Sequence, residues 1–249
     1  MSTAQQTVDA RSSYARIPAA FKLQFTVPSM LIWVPLLVFA AAWVIAVGIG
    51  VWIHAVAGGQ TEPIYTGAAN APLWTLVAMA AYAASHTFPF SMALSYSRRV
   101  FVIGVFLAFG LVSLAFGAAF ALGAGVERLT GGFGLEVYVF DLPYLTQGAG
   151  GVASAGALAA GLCLFLMMFG FFWAILYRRV SITMVWVVII GLVIILLGAA
   201  MLVTQNSGWA TVWRWFVEQS ALSLAGWMVL PVIGITAVNY AVIRRATPG

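Results

Sequence analysis

Six runs of the chain contain no charged residue, and each is about 20 or more residues long. An α-helix needs roughly 20 apolar residues to cross the ~30 Å hydrocarbon core of a bilayer, and it satisfies its own backbone hydrogen bonds in lipid. Together with 63% hydrophobic and only 7% charged residues, the runs predict an all-α integral membrane protein with six transmembrane helices. They are approximately 29–53, 72–96, 100–124, 153–177, 182–204 and 222–243.

The basic residues predict the orientation. Nine of the eleven fall on one side of a six-span chain, which the positive-inside rule makes the cytoplasm, so both termini are predicted to be cytoplasmic. Three of the nine are in the N-terminal segment, and six form pairs at the ends of the second, fourth and sixth runs. They are Arg11, Arg16, Lys22, Arg98, Arg99, Arg178, Arg179, Arg244 and Arg245. The net charge of +5 therefore follows the topology, and we expect no nucleic-acid partner.

Five of the six acidic residues fall on the opposite, outer side, in loops: Glu62, Glu127, Glu136, Asp141 and Glu218. The chain divides into a cytoplasmic amphipathic arm (1–28), a six-helix membrane domain (29–243) and a cytoplasmic tail (244–249), with no room for a second globular domain.

Two segments outside the runs are amphipathic. Between residues 10 and 26, one helical stripe carries Tyr14, Ile17, Phe21 and Phe25, while Arg16 lies opposite and Arg11 and Lys22 flank it. This pattern predicts an interfacial helix in the inner headgroup layer, serving either as an anchor or as a contact with a partner.

The second segment, "SGWATVWRWFVEQ", places Trp209, Val212, Trp213 and Phe216 on one stripe. It predicts a short helix that enters the outer leaflet just before the last run. The alternative is an aromatic belt that anchors a loop.

Signatures of catalysis are missing from the sequence. The only lysine, Lys22, follows no glycine-rich phosphate-binding pattern, and neither histidine belongs to a zinc-binding His-Glu-x-x-His. The apolar runs contain no acidic or basic residue of the kind that relays protons or ions. We therefore expect no catalytic residue, no metal site and no cofactor bound by this chain.

Two polar residues lie inside the apolar runs, and each is a candidate for a functional or a packing role. His86, three residues before a kink expected at Pro89, either lines a substrate path or bonds to a neighbouring helix, and Asn239 has the same alternatives. A haem held by His54 and His86 is disfavoured because the two histidines are expected at different depths.

The most specific local pattern is "SYSRRVFVIG", in which Ser97, Arg98 and Arg99 are followed by Phe101 and Gly104. Together with the arm, six spans, very short inner loops and the ending "NYAVIRRATPG", it resembles the membrane subunits of bacterial ABC exporters, the type 2 ABC permease family. The resemblance covers the whole chain. Tyr96 departs from the family pattern, where a smaller residue is common.

The resemblance implies that the turn after the second span docks into a cleft on a separate ATPase subunit. On this chain that turn is Tyr96, Ser97, Arg98, Arg99 and Val100, and the arm, with Arg16, Phe21, Lys22 and Phe25, is a second contact. It also implies a second permease subunit, identical or different, and ATP and magnesium bound by the partner ATPase. The pairs Arg178-Arg179 and Arg244-Arg245 need no role beyond topology.

The expected function is thus the permease of an efflux system in the bacterial cytoplasmic membrane, which exports a hydrophobic or amphipathic compound such as a drug, lipid or peptide. The alternatives are a transporter that works without ATP and a membrane immunity or binding protein. An integral membrane enzyme or cytochrome is the weakest reading, because the spans lack paired polar residues at matching depth.

Overall fold

A computed structural model describes residues 14–56, 58 and 62–244. Arg11 and Arg245 lie outside the described residues, as do the rest of the arm before Tyr14 and the tail after Arg244.

Helices make up most of the described chain. They are α1 (Ile17–Leu23), α2 (Val34–Val56), α3 (Asn70–Tyr82), α4 (Phe88–Ala93), α5 (Arg98–Thr130), α6 (Pro143–Thr146), α7 (Gly151–Arg179), α8 (Ile182–Gln205), α9 (Trp209–Glu218), α10 (Ala221–Trp227) and α11 (Val229–Arg244). Two π-helical segments, Ser29–Trp33 and Ala83–Thr87, lead into α2 and join α3 to α4, and a short 3-10 helix covers Gly132–Gly134. The departure from an all-helical chain is a parallel pairing of two-residue strands, β1 (Ile64–Tyr65) with β2 (Val137–Tyr138).

Five helices of the described chain have the length and composition of membrane spans, as expected for a multi-pass helical membrane protein. They are Ser29–Val56, Arg98–Thr130, Gly151–Arg179, Ile182–Gln205 and Ala221–Arg244. The remaining predicted span, residues 72–96, is not among these five. Its polar side chains, which include Thr75, Ser85 and His86, lower its hydropathy.

The segment 70–93 nevertheless runs between the two ends of α5. Just before it, β1 pairs with β2, which follows the C-terminal end of α5, whereas α4 leads directly into the turn before Arg98. On the way, α3 packs against α7. The contact is close at Gly170, where a Cβ atom would lie only 2.6 Å from the carbonyl oxygen of Val77.

The packing of α5 along α7 forms the centre of the bundle. Glycines allow the two backbones to meet, since a Cβ atom on Gly156 would lie 2.7 Å from the carbonyl oxygen of Gly117. Farther along this interface, aromatic rings fill the space, and Phe171 contacts both Phe101 and Phe109. The helices α10 and α11 pack on another part of α7, while α8 has no buried residue. A helix that is apolar on all sides is stable in contact with lipid.

Both π-helical segments end two residues before a proline, Pro35 or Pro89. Proline has no N–H to donate to the carbonyl four residues earlier, and its ring crowds that carbonyl. A widened π turn relieves the crowding, so these two prolines account for the irregular turns. The kink expected at Pro89 therefore takes the form of a π-helical segment.

At the opposite end of the bundle from Arg98, residues 131–150 form a compact cap. The helix α5 continues to Thr130 and ends at Gly131, whose φ of 58° is the left-handed conformation common after helices. The sequence-based limit of 124 was therefore too early. The prediction that Glu127 belongs to a loop was wrong, since it lies on the last turns of α5.

Glu127 is fully buried, and it holds the cap in place. Its Oε2 atom accepts hydrogen bonds from the backbone N–H groups of Val139, Phe140 and Asp141 at 3.0, 2.8 and 2.9 Å. Its Oε1 atom accepts one from the indole of Trp43 in α2 at 3.1 Å. Four donors thus compensate the burial of this carboxylate.

Candidate functional site

The turn between α4 and α5, residues 94–97, carries the sequence pattern for which docking is predicted. The carbonyl groups of Leu94 and Ser95, at the end of α4, accept hydrogen bonds from the guanidinium of Arg16 at 3.2 and 3.1 Å. The same guanidinium lies 4.4 Å from the centre of the Tyr96 ring. A cation at this position satisfies carbonyls that a helix end leaves unpaired and favours the negative end of the helix dipole.

Arg98 makes a second contact of the same kind. Its Nη1 atom donates to the carbonyl oxygens of Ile243 at 3.3 Å and Arg244 at 2.6 Å, at the C-terminal end of α11. The first residue of α5 therefore holds the last described turn of the chain.

Arg99 is exposed, and its side chain lies near those of Tyr14 in the arm and Tyr240 in α11. These three side chains also line a cavity of about 520 Å³ between the arm, α5 and α11. The two arginines of the pair thus join the beginning of α5 to both ends of the described chain.

The five residues predicted to dock are not equally accessible. Ser97 is exposed and caps α5, where its hydroxyl oxygen accepts from the backbone N–H of Val100 at 3.3 Å. Tyr96 and Arg98 are half-buried, and Val100 is only 1% exposed because its apolar side chain packs into the bundle. Val100 is therefore not on the surface that a partner would contact.

The arm packs on α5 and is not detached from the bundle. Ala20 is fully buried against Gly104, where a Cβ atom would lie 2.8 Å from the Ala20 backbone. Phe21 and Phe25 contact each other with ring centres 5.2 Å apart, and Lys22 is exposed. The predicted aromatic stripe is thus only half-buried. The most covered face contains Ala20, because small residues permit the closest approach.

Arg178 has a contact that the sequence did not predict. Its Nη1 atom donates to the carbonyl oxygen of Ser85 at 2.6 Å. Ser85 lies four residues before Pro89, which has no N–H to donate to it. The interpretation that Arg178 serves topology alone was therefore incomplete.

The two polar residues of the predicted spans have different surroundings. Asn239 in α11 is fully buried, and its Nδ2 atom donates to the carbonyl oxygen of Met168 in α7 at 2.9 Å, so it joins two helices. His86 is exposed in the π-helical segment Ala83–Thr87, stacks on Tyr82 and contacts the Ser85 hydroxyl.

The segment predicted to enter the outer leaflet is the helix α9, which has no buried residue. Trp209, Trp213 and Phe216 are exposed, while Trp215 contacts Trp227 of α10. The aromatic stripe is therefore not covered by the described chain.

Comparison of the chain with protein-family models, with curated proteins and with solved structures finds no match. The functional interpretation therefore depends on the geometry above and on the sequence pattern of the turn.

Sequence reasoning missed two residues that fix the ends of the bundle, Glu127 and Arg178. A signal for Glu127 was present in the pair Gly131-Gly132, which is typical of a helix end and extends α5 past the acid. A signal for Arg178 is harder to find, because its partner is a backbone carbonyl 93 residues earlier in the chain.

Proposed function

We propose that this chain is the membrane subunit of an ATP-driven exporter of the type 2 ABC permease kind. In this proposal it moves a hydrophobic or amphipathic compound across the bacterial cytoplasmic membrane. A separate ATPase subunit, which binds ATP and magnesium, docks on the turn of residues 94–97 and the start of α5. A second permease subunit completes the membrane unit.

One observation carries the proposal: the turn and the first residues of α5 are bonded to two other elements, the arm and the end of α11. Arg16 of the arm bonds the turn, Arg98 bonds the end of α11, and Arg99 lies near Tyr14 of the arm and Tyr240 of α11. A partner that displaces this turn would therefore move the arm, α5 and α11 together. A transporter that is driven by a separate ATPase subunit needs a rigid element on which that subunit can act, and it needs no buried charge of its own.

The topology in this proposal has six spans with both termini in the cytoplasm. The path of residues 70–93 between the two ends of α5 supports a sixth span despite its lower hydropathy. The clustering of Arg16, Arg98 and Arg178 at one end supports placing that end in the cytoplasm.

Site-specific cross-linking tests the docking surface. The chain is purified from its host membrane with S97C in place, and a short bifunctional thiol–amine reagent is added. We expect a cross-link from position 97 to an ABC ATPase, identified by mass spectrometry of the cross-linked peptide. The only native cysteine, Cys163, is buried and gives a low background.

The matched control is S181C. Ser181 is also an exposed serine at the start of a helix, α8, and it also lies within two residues of an arginine pair, which it follows and Ser97 precedes. We expect little or no cross-link from position 181. Equal cross-linking from both positions, or none to an ATPase from position 97, would contradict the proposal.

A further inference from the structure

A cavity of about 300 Å³ lies between the arm, the π-helical segment before α2, and the segment from α3 to α4. Both π-helical segments contribute to its wall, through Met30 and Leu31 on one side and His86 on the other. Irregular π turns occur frequently at functional sites, and here two of them, distant in sequence, meet at one cavity.

The cavity is mostly apolar, with Met30, Met79 and Phe90 in its wall. Phe90 is exposed, so the wall continues to the outside of the bundle. The volume is at the low end of the range for small-molecule sites, which suits a head group and the first carbons of a chain.

His86 presents a hydrogen-bond acceptor to the cavity. We assign the single hydroxyl hydrogen of Ser85 to the carbonyl oxygens of Ala81 and Tyr82, and with that assignment the 2.9 Å contact between Ser85 and His86 uses the hydrogen of His86 Nδ1. In a neutral imidazole ring whose hydrogen is on Nδ1, the Nε2 atom is a hydrogen-bond acceptor. Within the described part of the chain, Nε2 has no hydrogen-bond partner.

Gln24 supplies a second acceptor. Its Nε2 atom donates to the carbonyl oxygen of Ala20, which fixes the orientation of the amide. Its Oε1 atom is closed to water and has no hydrogen-bond partner among the described residues, and the residue as a whole is only 5% exposed. An unpaired buried carbonyl is costly, so a small shift of the cavity wall that lets a ligand donor reach this atom is favoured.

We propose that this cavity binds an amphiphile whose head group donates hydrogen bonds, such as a hydroxyl or amine, to His86 Nε2 and Gln24 Oε1. The apolar chain lies along Met30, Met79 and Phe90 and continues into the bilayer. The site requires only this chain. Its test contains no ATPase, so it can fail or succeed independently of the proposed coupling.

Histidine-selective ¹⁵N NMR of the protein in nanodiscs tests the site, because the chain has only two histidines. The probe is 1-dodecanol, and 1-methoxydodecane is the matched compound without a donor. We expect the alcohol to shift the His86 Nε2 signal in a saturable manner, while the ether leaves it unchanged and His54 reports no change. The variant H86F assigns the signals.

A variant series tests the second acceptor. Gln24→Leu removes the carbonyl, and we expect it to weaken dodecanol binding about fivefold, the effect of one ordinary hydrogen bond. Gln205→Leu, an exposed glutamine in α8, is the control and should bind like the wild type.

Three results would overturn the site. They are no shift of His86 with dodecanol in the wild-type protein, an equal shift with the ether, and equal affinity in Q24L and Q205L. Lipid analysis of the purified protein identifies the source of the ligand. A hydroxyl-bearing lipid that the wild type retains and Q24L loses supports a resident lipid, whereas dodecanol binding to protein without such a lipid supports a free amphiphile.

Discussion

Arginines at one end of the bundle donate to backbone carbonyls, with no carboxylate recorded as their partner within the described chain. Arg16 and Arg98 each bond two carbonyls at a helix end, and Arg178 bonds the carbonyl that Pro89 leaves without its usual donor. A forked guanidinium can reach two carbonyls at once, which a lysine ammonium does with less fixed geometry. These arginines therefore close helix ends, and in the proposed topology their charge also favours the cytoplasmic side.

At the opposite end of the bundle, the packing of the cap on α5 depends on the buried carboxylate of Glu127. In E127Q the amide can offer its oxygen either to the three backbone N–H groups or to the Trp43 indole, and its NH₂ group then faces a donor. We expect a loss of about 1–3 kcal/mol in the free energy of unfolding, the usual cost of leaving buried donors unpaired. Hydrogen exchange of the amides of Val139, Phe140 and Asp141 should also become faster.

The control for this change is E136Q. Glu136 is an exposed acid of the same cap, so the substitution removes the same charge without removing a buried acceptor. Equal stability and equal exchange rates for E127Q and E136Q would show that the buried carboxylate does not hold the cap.

Among the elements, the contact of the arm with α5 depends on Gly104. In G104V the new Cβ atom meets the Ala20 backbone, so we expect the arm to leave α5 and trypsin to cut after Arg16 and Lys22 several times faster. Gly110→Val is the matched control on the same helix, because a Cβ atom there meets nothing within 4 Å. Similar cleavage of both variants would exclude this packing.

The sequence predicts the bounds of a helix well when the residues that determine them are local, and poorly when contacts with distant residues determine them. The apolar runs locate α5 and α7 because lipid selects apolar residues along their whole length. The shorter extent of α1 and the burial of Ala20 follow from a fit with Gly104, which no local pattern contains. The π-helical segments are partly predictable, since Pro89 indicates an irregularity but not its form.

At the scale of the whole molecule, the number of spans is testable by thiol labelling in intact cells. If residues 70–93 cross the membrane, G67C and A149C face the outside, whereas S97C faces the cytoplasm. We expect a membrane-impermeant maleimide to label positions 67 and 149 and to leave position 97 unlabelled until the cells are opened. Labelling of position 67 only in opened cells would show that this segment does not cross.

The candidate site also combines features that a local sequence pattern predicts with features that depend on contacts between distant segments. Ser97, Arg98 and Arg99 were found from sequence because the pattern is local. The bonds of Arg98 to Ile243 and Arg244 depend on the bundle bringing distant segments to one end, and so do the position of Arg99 beside Tyr14 and the burial of Val100. The cavity beside His86 was not predictable, because its wall combines two π turns more than 50 residues apart.

The bonds of Glu127 also imply an order of events during biogenesis. In the proposed orientation, the end of α5 reaches the outer surface before residues 139–141 have been synthesised and translocated. Until then the carboxylate remains hydrated, because three of its four donors belong to the later segment. The three backbone bonds of the cap therefore form only after insertion of α5, whereas the Trp43 indole, which lies in the earlier helix α2, is present when Glu127 emerges.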